Sequence, residues 1–147
     1  VSDAAAPAGT GPRTVLVFSH RPEVRDAVRT AVGTHPSADV GPVRWLECST
    51  GAEVVAAVDR GGVDLCILDG EAQPTGGLGI GRQLKHEVDD CPPVLVLVAR
   101  QADRWLAHWS MAEATLTHPV DPLVAPQTVA GLLRDRAGRP AVRGRAG

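Results

Sequence analysis

Apolar positions along this chain follow two patterns in turn: short unbroken runs, and stretches in which they recur every three or four residues. The first predicts strands buried on both faces, the second amphipathic helices. The run Val63-Asp64-Leu65-Cys66-Ile67-Leu68-Asp69, bounded by Gly61-Gly62 and Gly70, predicts a central strand that ends in a carboxylate. Thr14 to Phe18 and Val94 to Ala99 predict two more buried strands, and Ala114 to Thr117 a short one. Val43 to Cys48 mixes polar and apolar residues and predicts a strand near a sheet edge. Helical spacing appears over Pro22 to Val32, where Val24, Val28, Ala31 and Val32 share a face, and over Ala52 to Arg60. Three further helices are expected over Ile80 to Glu87, Asp103 to Ala112 and Ala125 to Arg134.

Five strand–helix pairs of this length predict an α/β fold, since parallel strands need a crossover and the crossover is right-handed. The expected architecture is a flavodoxin-like, doubly wound (βα)5 three-layer sandwich. Its parallel sheet should have the order 2-1-3-4-5, with the crevice between the first and third strands. Residues 14–134 make the domain. Residues 1–13, rich in Ala, Gly and Pro, are expected to be a disordered leader, and residues 135–147, with Arg136, Arg139, Arg143 and Arg145, a disordered tail.

Composition removes several function classes. A formal net charge of -2 supplies no global attraction to nucleic acid or membrane, and the arginine tail lacks interleaved aromatics. Cys48, Cys66 and Cys91 have no C-x-x-C spacing and read as packed, reduced thiols of a cytoplasmic protein. No apolar run approaches the roughly 18 residues of a membrane span, and no signal-peptide pattern opens the chain. Gly76-Gly77-Leu78-Gly79-Ile80-Gly81 lacks the Lys-Ser/Thr of a P-loop and the dinucleotide spacing, so a flexible loop is expected. No hydrolytic Ser/His/Asp or Cys/His set stands out, and no enzyme activity is expected.

Four strings in order carry a more specific signal: Leu16-Val17-Phe18 with Arg21-Pro22-Glu23-Val24-Arg25, Asp64 to Asp69, Pro93 to Arg100, and Leu116-Thr117-His118-Pro119-Val120-Asp121-Pro122. Together they resemble the receiver domain of two-component response regulators over Thr14 to Arg134. The resemblance places Asp69 at the phosphoacceptor position. It also implies two acidic residues after the first strand to bind Mg²⁺, Ser or Thr closing the fourth strand, and Lys closing the fifth. This chain has Ser19-His20, Val98 and His118 there, and Thr115 where many receivers carry a switch aromatic. Pro74 falls five residues after Asp69, where the family usually has Pro at four, while Gly77 matches a family Gly.

These replacements have physical consequences. Mg²⁺ wants oxygen ligands, and His20 is a poor substitute for a carboxylate. Without the ion, charge on a transferring phosphoryl group loses its main stabilisation. The expectation is an atypical (pseudo-)receiver: a single-domain signal-transduction protein acting through protein–protein interaction, without ordinary Mg-dependent aspartyl phosphorylation and without a cofactor. Asp69 is then a vestigial phosphoacceptor in a degenerate pocket of Ser19, His20, Val98, Thr115 and His118.

Two alternatives stand beside this reading. One is a stand-alone response regulator still phosphorylated on Asp69 with Mg²⁺. The other is a metal- or pH-sensing site of His20, Asp69 and His118. Against the latter stands the plainer arrangement in which His118 hydrogen-bonds Asp69 and His20 faces solvent. Trp105 and Trp109, one turn apart, are candidate anchors for a protein partner or a homodimer. The surface implied by the resemblance is the face of the fourth helix, fifth strand and fifth helix. No DNA-binding domain is expected after Arg134, and no membrane association.

Overall fold

The computed structural model describes residues 11–71, 76–100, 103 and 105–138. Strands and helices alternate: β1 (Arg13–Phe18), α1 (Pro22–Val32), β2 (Val43–Cys48), α2 (Gly51–Arg60), β3 (Leu65–Asp69), α3 (Gly77–Glu87), β4 (Val94–Val98), α4 (Trp105–Trp109), β5 (Ala114–Thr117) and α5 (Ala125–Gly138). All strand pairs are parallel and the sheet order is β2-β1-β3-β4-β5, as the pattern predicts.

The unbroken apolar strands are explained by cores on both faces of the sheet. Successive side chains on a strand point to opposite sides. Val15, Val17, Leu65, Ile67, Leu95 and Leu97 therefore pack against Val24 and Val28 of α1 and Val129 and Leu133 of α5. Leu16, Phe18, Cys66, Leu68, Val96 and Val98 go the other way, against Val54 and Val58 of α2 and Ile80 and Leu84 of α3. Each fully buried aliphatic side chain contributes about 1.5–3 kcal/mol relative to exposure. Cys48 and Cys66 are buried, Cys91 is half-buried, and all three are free thiols. Burial pushes Cys48 up to about 11 and Cys66 higher still, so both stay protonated and pack as small apolar groups.

Several boundaries differ from the expected ones. β1 begins at Arg13, inside the expected leader, because its N–H donates to Pro42 O at 2.8 Å. β3 begins at Leu65, since the Asp64 carboxylate accepts the Thr14 N–H at 2.9 Å and so replaces a regular ladder bond. α3 begins at Gly77 instead of Ile80, and α4 is confined to Trp105–Trp109. α5 continues through Gly138 into the expected tail, where Arg136 pairs with Asp90 at 3.3 Å. Residues 1–10, Pro74, Arg139, Arg143 and Arg145 lie outside the described residues. Among the described residues no helix is long and apolar enough to cross a membrane.

Candidate functional site

The site is set by the neighbouring ends of β1 and β3. Phe18 and Leu68 are their last registered pair, so the next residues, Ser19 and Asp69, emerge side by side. Both are wholly buried. Ser19 Oγ donates to Asp69 Oδ2 at 2.8 Å, and the Glu71 N–H donates to Oδ1 at 2.9 Å. His118, just beyond β5, brings Nε2 to 3.5 Å from Oδ1. That distance is too long for a well-formed hydrogen bond. Nε2 is itself buried, with no closer polar partner among the described residues.

Burial pushes the Asp69 carboxyl up. The His118 contact, the Glu71 N–H and the Ser19 hydroxyl together outweigh it and hold the group below the usual carboxylate range. Asp69 is therefore an anion at neutral pH, with donors on both oxygens. Ser19 is also fully used: its Oγ accepts the Arg21 N–H at 3.1 Å, and its carbonyl accepts from Arg25 Nη1.

This donor set does not fit Mg²⁺. The ion needs several oxygen ligands. Here one carboxylate oxygen faces a hydroxyl donor and the other a backbone N–H. Among the described residues no three of His, Cys, Asp and Glu are placed to hold a metal ion, so the trio of His20, Asp69 and His118 does not assemble. The reason is strand alternation. His20 follows Phe18 to the α2–α3 side and is exposed there. It borders an open groove of about 930 Å³ whose walls include Phe18, Thr50, Val55, Ile80 and Gln83.

The other expected pocket residues divide. Val98 is fully buried in the core on the α2–α3 side and offers no hydroxyl. Thr115 is half-buried and in register with Val96, so it does not reach the strand end where Asp69 lies. Trp105 and Trp109 are 66% and 49% exposed on α4. The Arg82 guanidinium lies 4.8 Å from the Trp109 ring centroid.

Of two further contributors, Arg25 was not singled out from sequence and Gly77 was noted only for its match to a family Gly. Arg25 Nε pairs with Glu47 Oε1 at 2.9 Å, a contact that depends on the register of β2 and carries no local signal. Gly77 has one: a Cβ there would sit 2.7 Å from the Asp69 carbonyl oxygen, so the start of α3 abuts the end of β3. Its mark in the sequence is the match to a family Gly, eight residues after Asp69.

Comparison with known proteins is consistent with this architecture. No protein-family model matches the chain. An uncharacterized response regulatory protein, found in two strains of Mycobacterium tuberculosis, is 51% identical over 120 residues, which cover 82% of this chain and 90% of the relative. A chemotaxis response regulator of Vibrio cholerae superposes with a TM-score of 0.66 at 16% identity, covering 82% of this chain and 98% of that one. The receiver domain of a Saccharomyces cerevisiae response regulator gives a TM-score of 0.71 at 16% identity, covering 87% and 93%. That domain was crystallised with a histidine phosphotransfer signalling protein.

Proposed function

Because the chain belongs to the response regulator family as a receiver domain, we propose that it is an atypical receiver that signals by binding a protein partner, without ordinary Mg-dependent phosphorylation of Asp69. The observation that carries this reading is the 2.8 Å hydrogen bond from Ser19 to Asp69 Oδ2, made where a metal-binding receiver needs a second acid. His118 supplies a short imidazole in place of a long ammonium, and Val98 supplies no hydroxyl, so a phosphoryl group would find few donors around it. The role is that of a non-catalytic, cytoplasmic signalling component. Its contact surface for a partner or a second copy is the face of α4, β5 and α5, where Trp105 and Trp109 stand out of the surface.

The test is incubation with acetyl phosphate and Mg²⁺ followed by intact mass measurement. The expected result is no phosphoryl adduct. Stoichiometric labelling that disappears in Asp69→Asn would overturn the proposal. A second reading, a stand-alone regulator phosphorylated on Asp69, is favoured by one observation: the carboxylate is held ionised, as a nucleophile must be.

A further inference from the structure

A continuous polar chain leads away from Asp69, and it runs toward α1 and β2. Ser19 Oγ donates to Asp69 and accepts the N–H of Arg21. Arg21 is the N-cap residue of α1 and has no side-chain cap of its own, so the Ser19 hydroxyl satisfies a donor at the mouth of that helix. One turn further along, Arg25 donates from Nη1 to the Ser19 carbonyl and from Nε to Glu47 Oε1. Glu47 Oε2 in turn lies 3.2 Å from Arg29 Nε, and Arg29 also bonds Asp26. Three elements are thus tied through hydrogen bonds to one buried carboxylate: β1, α1 and the sheet-edge strand β2.

In the opposite direction no such chain is present among the described residues. Val98 ends β4 without a hydroxyl, Thr115 is in register with Val96 below it, and His118 reaches Asp69 only at 3.5 Å. We propose that the state of the Asp69 carboxylate is relayed through Ser19 and Arg25 to the flank formed by α1 and β2, and not along β4 and β5. The relay rests on the reading of the pocket as donor-filled. When Asp69 stops accepting from Ser19, through neutralisation or capture of Oδ2 by a ligand, the hydroxyl turns. The Arg21 N–H then loses its acceptor, and the Ser19 carbonyl shifts under Arg25. Arg25 has a second acceptor in Glu47, so the balance between these two contacts is what the flank displays. Members of a partly buried polar network are coupled in this way because each has few alternative partners.

The experiment uses the whole chain labelled with ¹⁵N. Asp69→Asn is expected to shift the Arg25 Nε–H resonance and the β2 amides from Val43 to Cys48. The same substitution made in a Ser19→Ala background should leave them in place. Arg25→Gln cuts the second link at a half-buried position, and it serves with the β2 amides as readout if Ser19→Ala does not fold. A double-mutant cycle of Asp69→Asn with Glu47→Gln in urea should be non-additive, the unfolding constants departing from their product by about threefold or more. Shifts confined to β3, β4 and β5, or an additive cycle, would overturn the relay. Labelling of Asp69 by acetyl phosphate would sink the phosphorylation-free reading instead, and the unmodified protein would still decide the relay.

Discussion

His118, the Glu71 N–H and Ser19 keep Asp69 charged, and both oxygens of the anion are engaged. Removing the hydroxyl leaves a buried charged acceptor short of one donor, so Ser19→Ala should lower stability by about 1–3 kcal/mol in urea denaturation. The sign of the acid response follows from the carboxyl's lowered folded-state pKa. The folded protein holds this anion better than the unfolded chain does. That contribution is fully present above the unfolded pKa of about 3.9 and is lost as pH falls through the folded value. Wild type should therefore lose melting temperature more steeply below about pH 4 than Asp69→Asn does; parallel slopes would show that the carboxylate is not specially held. At this scale Asp69 was legible as the polar end of an apolar run, and the pairing of His118 with it follows from strand order. His20 is exposed, as the plainer arrangement expected, and the alternation beyond Phe18, carried past the end of β1, accounts for its place beside the groove.

Helix α3 shows where propensity and packing conflict. Gly77, Gly79 and Gly81 argue against a helix, each being less favourable than Ala by about 1 kcal/mol. Yet α3 runs from Gly77, and the glycines are not equivalent. A Cβ on Gly77 would meet the Asp69 carbonyl oxygen at 2.7 Å and the Leu68 Cβ at 2.8 Å, both fixed by the buried strand. A Cβ on Gly79 would meet nothing within 4 Å. Gly77→Ala should cost about 1–3 kcal/mol through forced separation of α3 from β3. Gly79→Ala should stabilise by about 0.4–1 kcal/mol by reducing unfolded-chain freedom. Thermal melts of the two variants beside wild type check both signs. The strands were readable because two-sided burial writes unbroken apolar runs. The start of α3 was not, because its reason is a tertiary approach that no window of residues contains.

At the scale of the whole molecule, two cores account for most apolar residues, and what is left over is concentrated. Among the described residues, the large apolar side chains that stay exposed are Trp105, Trp109, Met111, Leu123 and Val124, and all lie between the start of α4 and the first residue of α5. Leu123 is 78% exposed, and its neighbour Asp121 holds the Leu123 N–H at 2.8 Å, so the turn presents this side chain outward in a defined shape. Tryptophans placed this way contribute little to folding. The stacking of Arg82 on Trp109 is worth about 0.5–1 kcal/mol at such an exposed site. Replacing both by Ala should therefore change stability by no more than about 1–2 kcal/mol. If the face of α4, β5 and α5 binds a partner or a second copy, the same change removes two aromatic anchors. Association should then weaken by at least about tenfold, the scale of one modest hot spot. Sedimentation velocity over a concentration series, with partner capture from the native cell, separates the two effects. An unchanged oligomeric state and an unchanged partner set, in a variant that still melts cooperatively, would move recognition to another surface, with the α1–β2 flank next to be tested.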